Sequence, residues 1–148
     1  MQNTIVGIHD TIIRISGGEN GVRDEGGIYN STYRLLNYQG KFKQNPIKLG
    51  AFIMNEFAKK HHFVDGNKRT AYVVAKIFML INKCHLKIDY KNSLKTILEI
   101  AKYGSKMDFE KIKIWLDENC ILIEEKDVEK YLNQVFVNLY IGENEYEK

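Results

Sequence analysis

Apolar residues near the start of the chain fall at Ile5, Ile8, Ile12 and Ile15, three and four positions apart, and Gly17-Gly18 follow where a helix would stop. The spacing predicts a first helix over residues 4–15. The next eleven residues, GGENGVRDEGG, hold five glycines and no apolar stripe, so an irregular loop is expected there. IYNSTYRLLN reads as a short second helix, and KFKQNPIKLG carries the single proline, Pro46, at the first turn of a third. On that third helix Ile47, Gly50, Ala51, Met54, Phe57, Ala58 and His61 share one face, which carries the inward stripe up to His61. Leu49, Phe52 and Ile53 widen it, so the helix should be covered on more than one side. AYVVAKIFMLINKC is apolar on nearly every face and too long for a strand, which predicts a helix through the middle of the fold. HLKIDY is expected to be a short link. A helix over residues 93–103 should stop at Gly104, and another should start after Asp108, anchored by Trp115 and Leu116. Val128, Tyr131, Leu132, Val135 and Leu139 predict a closing helix, followed by a frayed acidic end.

Length and composition narrow this to one compact domain over residues 1–148, and the single proline favours helices. A chain of 148 residues can bury most of its apolar surface without disulfides, and 44% hydrophobic and 28% charged residues are ordinary for a globular protein. No 18-residue apolar run and no basic-then-apolar leader occurs, so neither a membrane span nor a secretory signal is expected, and residence should be cytoplasmic. Cys84 and Cys120 form no CxxC pair and are too few for a zinc cage; they read as reduced thiols. The net charge of +3 is unevenly spread. Residues 117–148 hold nine acidic and three basic side chains, leaving +9 on the rest. A basic core of this kind suits a nucleotide, an RNA or an acidic protein.

The stretch HHFVDGNKR, residues 61–69, concentrates the candidate chemistry. With helices on both sides, residues 61–66 become a tight loop and Asn67 to Thr70 the first turn of the central helix. A helix N-terminus presents unpaired N–H groups and a partial positive charge, and Lys68 and Arg69 add two formal charges, so a phosphate fits. Gly66 permits close backbone approach, and Asn67 is placed to cap the helix. Asp65 repels phosphates unless a divalent cation bridges them, which points to Mg²⁺. His61 titrates near neutral pH and is the natural general base for a hydroxyl attacking that phosphate. Phe63 turns inward to hold the loop. Singly, each of these residues has an ordinary structural explanation, an Asp-Gly turn included. Their combination within nine residues at a helix start does not. His62 is read as without a role, since its neighbour already takes the inward direction.

HHFVDGNKR resembles the motif H-x-F-x-[D/N]-[A/G]-N-K-R of the Doc (death-on-curing) branch of the Fic superfamily, agreeing at His61, Phe63, Asp65, Gly66, Asn67, Lys68 and Arg69. With the upstream IHDTIIRISGGENGVRDEGGIYNST, the similarity runs over residues 5–103, leaving residues 104–148 as a helical C-terminal extension with an acidic tail. The resemblance implies a compact helical bundle with a central buried helix after the motif loop, and a loop that binds ATP. Most Fic proteins have glycine where this chain has Lys68 and transfer AMP to a protein hydroxyl. In the Doc branch the lysine fills and charges the space of the terminal phosphates, and the nucleotide turns so that its γ-phosphate faces the histidine. By that resemblance His61 is the base, Asp65 holds Mg²⁺, and Gly66, Asn67, Lys68 and Arg69 bind phosphates. The implied reaction is phosphorylation of a target protein such as elongation factor Tu, halting translation as the toxin of a toxin–antitoxin pair. Arg23, Asp24 and Lys60 are weaker candidates for contacts to substrate or nucleotide. The self-inhibitory helix [S/T]-x-x-x-E-[G/N] is not found, because SGGENG puts Glu19 one residue early, so inhibition by an antitoxin in trans is expected. The alternatives are an AMP transferase that tolerates the lysine and a non-catalytic member that binds nucleotide or RNA.

Overall fold

The structure, a computed structural model, describes residues 1–42 and 44–139. Along the chain run α1 (Gln2–Ser16), α2 (Glu25–Phe42), α3 (Pro46–Lys59), α4 (Asn67–Ile81), β1 (Cys84–Leu86), α5 (Tyr90–Ala101), α6 (Phe109–Glu118), β2 (Cys120–Leu122) and α7 (Glu125–Leu132). The fold is all-α, with one small two-stranded sheet. Local chemistry sets most of the helix starts. Asn45 accepts the Lys48 N–H at 3.1 Å ahead of Pro46, Asp89 accepts from Asn92 at 2.8 Å, and Asp108 from Lys111 at 2.9 Å. Asp24 does the same for Gly27 at 2.8 Å. That cap starts α2 inside the glycine-rich stretch, so the irregular loop is shorter, and the second helix longer, than the glycines predict.

α4 is the central helix. Ala71, Tyr72, Val73, Val74 and Ala75 are buried in succession, because α4 is packed against α1, α3, α5, α7 and β1. Full burial of Val73 and of Val74 contributes about 1.5–3 kcal/mol each relative to exposure. Farther along the helix Lys76 is half-buried and reaches the Tyr72 hydroxyl at 3.3 Å, which in turn donates to the Ile88 carbonyl at 2.6 Å. Gly50 lets α3 lie close against it, since a methyl group there would collide with Met79 and stand 3.2 Å from Leu116 Cδ1.

Three expectations change. α1 buries Ile5, His9, Ile12 and Ile13, while Ile15 is half exposed, so the inward face includes a histidine. The HLKIDY link contains β1, which pairs antiparallel with β2 (Cys84 with Leu122, Leu86 with Cys120) across the intervening residues 87–119, which no local pattern connects. Both cysteines are free, Cys84 buried and Cys120 half-buried. The closing helix ends at Leu132 and continues as turns, although Val135 and Leu139 are still buried. The acidic end beyond residue 139 lies outside the described residues. No helix among the described residues is long and apolar enough to cross a membrane.

Candidate active site

α3 stops at Lys59, and Lys60 is extended (φ −92°, ψ 126°). This break in helical register reverses the expected directions of the two histidines. His61 is exposed and lines a cavity, while His62 is the buried one, 2% exposed, with Nε2 2.8 Å from Ser31 Oγ. The helical face of α3 therefore ends before reaching His61.

The loop from Phe63 to Asn67 is closed on itself and on α1. Asn67 is the first residue of α4 rather than its cap. Its side chain accepts the Phe63 N–H at 3.0 Å and donates to the Phe63 carbonyl at 2.9 Å. Gly66 precedes the helix in a left-handed conformation (φ 79°) that favours glycine, and a methyl group there would stand 3.1 Å from Ile13 Cδ1, a tight contact. Phe63 is buried and stacks on His9 at 3.8 Å between ring centres. His9 Nε2–H donates to the Asp65 carbonyl at 2.6 Å, since a carbonyl can only accept. Sequence reasoning missed His9, although its place four after Ile5 and three before Ile12 put it on the buried stripe.

Above this base lies a cavity of about 250 Å³ lined by Arg23, His61, Val64, Asp65, Gly66, Asn67 and Lys68. Arg23 arrives from the glycine-rich loop, which is zipped to the motif. Val22 bridges Phe63, Val64 N–H donates to the Gly21 carbonyl at 3.0 Å, and Arg23 N–H donates to the His62 carbonyl at 2.7 Å. Gly66 offers no side-chain cap to α4, so the helix start carries its partial positive charge beside Arg23 and Lys68. Partial burial, then the positive charges of Lys68 and Arg23, push His61 below the ordinary histidine range and keep its imidazole neutral at physiological pH.

Asp65 lines the same cavity with a nearly buried carboxylate. Its Oδ1 accepts the Gly66 N–H at 2.8 Å and its Oδ2 the Glu19 N–H at 3.1 Å, with Arg69 Nη2 3.8 Å away. Arg69 itself is fully buried and is not among the cavity-lining residues. Its Nη1 donates to Ser16 Oγ at 2.6 Å and to the Gly17 carbonyl at 2.7 Å, which ties the end of α1 to the start of α4. Of the weaker candidates, Arg23 joins the cavity, Asp24 caps α2, and Lys60 pairs with Glu56.

Fold and site together define a mostly helical protein whose central helix starts at a cavity walled by His61, Asp65, Lys68 and Arg23. The family model described as Fic/DOC family matches residues 2–79, running from α1 into α4 and covering every residue that lines the cavity. The chain belongs to the Fic/DOC family, whose known activity is group transfer. No curated protein matches the chain.

Proposed function

We propose that this chain is a Doc-like phosphotransferase. It transfers the γ-phosphate of ATP to a hydroxyl of a target protein resembling elongation factor Tu, stops translation in the cytoplasm, and is restrained by an antitoxin. The observation that carries the reading is Lys68 in the cavity wall beside His61, at the position where most family members have glycine. A cavity of about 250 Å³ is smaller than the roughly 300–1,000 Å³ that encloses a drug-sized ligand. In this reading it takes the phosphates.

In this mechanism the target hydroxyl gives its proton to the neutral His61 imidazole as its oxygen bonds to the γ-phosphorus. The bond from that phosphorus to the bridging oxygen breaks, and ADP leaves. Lys68, Arg23 and the N–H groups at the start of α4 face the phosphates, and little more than such positioning and charge neutralisation is needed. Asp65 fits a magnesium ion, because a carboxylate has about four lone-pair positions and two N–H groups take only two of them. Bound there with ATP, Mg²⁺ would neutralise phosphate charge.

The test is incubation with ATP labelled separately at the α and γ positions, plus elongation factor Tu. Transfer of γ label that His61→Ala abolishes is the expected result. Transfer of α label alone would establish AMP transfer instead, and a cellular effect that survives His61→Ala would establish a binding protein.

A further inference from the structure

His62 has surroundings that the catalytic reading does not use. Its Nε2 stands 2.8 Å from Ser31 Oγ on α2, and that hydroxyl donates its own hydrogen to Glu56 Oε1 on α3, also at 2.8 Å. A hydroxyl that donates to a carboxylate accepts from the ring, so His62 carries its hydrogen on Nε2. Glu56 is 3% exposed and is held in turn by Arg34, whose Nη1 lies 2.9 Å from both of its oxygens, and by Lys60. On the other edge of the ring, a methyl group placed on Gly27 would stand 2.8 Å from His62 Nδ1 and 2.5 Å from Asp24 Oδ2, so that edge meets the capped first turn of α2. The main chain of His62 is equally engaged. Its carbonyl accepts the Arg23 N–H at 2.7 Å and the Asp24 N–H at 3.1 Å.

His61 and Arg23 thus adjoin His62 on both sides, one through a peptide bond and the other through a hydrogen bond. Both are exposed, and neither sits in a helix. The direction of each depends on the peptide plane that His62 holds.

We infer that His62 is a positioning residue: its ring, held by Ser31 and through that hydroxyl by Glu56, fixes the main chain so that His61 and Arg23 face the same cavity. The inference rests on the reading of His61 as base and deepens it. A displacement of about 1 Å in a catalytic group can cost on the order of 100-fold in rate, so the clasp should matter far more to turnover than to folding.

The experiment compares wild type with His62→Ala, His62→Gln and Ser31→Ala. Glutamine keeps an N–H donor near the place of Nε2. In nucleotide-free protein, NMR gives amide exchange at Arg23 and Asp24 and the titration of the His61 ring; γ-label transfer gives kcat and KM. For His62→Ala we expect faster exchange at both amides, a His61 titration moved up toward the ordinary histidine value as Arg23 withdraws, and a kcat lowered about 10- to 100-fold. Ser31→Ala should shift all three in the same direction, and His62→Gln should restore them. The inference is overturned if His62→Ala, or Ser31→Ala should the former not fold, lowers the melting temperature but leaves exchange, titration and kcat as in wild type. It is equally overturned if glutamine restores nothing. If the NMR changes occur while wild type transfers no phosphate, the clasp stands and the phosphotransferase reading falls.

Discussion

Replacing Arg69 with alanine removes a fully buried guanidinium from beneath the cavity. Two hydrogen bonds that join α1 to α4, to Ser16 and Gly17, go with it, and the nearly buried Asp65 carboxylate loses a cation 3.8 Å away. Removing one partner of a buried pair typically costs about 3–5 kcal/mol, mostly because the remaining charge is left uncompensated. At about 2.1 cal/mol/K per residue, 148 residues give an unfolding entropy near 0.3 kcal/mol/K, so Arg69→Ala should lower the melting temperature by about 10–16 °C. Arg69→Lys keeps a charge and can still donate toward Ser16 and Gly17, but it lacks the second guanidinium nitrogen that faces Asp65, so its loss should be smaller but clear. Adding Asp65→Asn to Arg69→Ala should recover part of the deficit, which makes the pair non-additive. Calorimetry of the four proteins, with nucleotide affinity measured on those that fold, decides the matter. If Arg69→Ala melts within about 3 °C of wild type while ATP binding collapses, the guanidinium is a phosphate ligand, as the motif resemblance implies, and the strut described above is refuted.

His61 works as a base only when neutral, and its pKa lies below the ordinary histidine value, so turnover should be complete at neutral pH and fall as the pH drops through that lowered value. Arg23→Ala removes one of the charges that lower it, so the acid limb of the pH–rate profile should move to higher pH; a limb that stays in place argues against Arg23 facing His61. Gly18 has φ +118°, and a methyl group there would stand 2.6 Å from Asp65 Oδ2, so Gly18→Ala should cost about 1–3 kcal/mol in denaturant unfolding and shift the magnesium dependence of transfer. Unchanged stability would mean that the loop relaxes freely. His85 is buried against Tyr131, and burial, followed by the charge of Lys76, lowers its pKa to about 4. Between roughly pH 6.5 and 4 the unfolded chain takes up a proton that the fold refuses, so this contribution to stability is present above pH 6.5 and lost on acidification. His85→Phe should flatten the fall in melting temperature over that window; parallel curves for the two proteins would count against it.

What the sequence determined by itself was whatever a few neighbouring residues can encode. Asn45-Pro46, Asp89 and Asp108 start their helices with local caps, Gly17 ends α1, and the apolar run after residue 70 can only be a surrounded helix. The motif, too, was legible in one dimension, because His61, Asp65, Gly66 and Lys68 reach the same cavity from a single eight-residue stretch. Tertiary structure decided which way those residues point and what holds them there. The extended backbone at Lys60, just after α3, turned His61 out and His62 in, an outcome that helical periodicity cannot anticipate once the helix has ended. His9 reaches Asp65 across 56 positions, Arg69 reaches Ser16 across 53, and Arg23 enters the cavity through a loop paired to the motif nearly 40 residues away. Such contacts are settled by packing and by the tendency of buried charges and N–H groups to be paired, which can be met only when the whole chain has closed around α4.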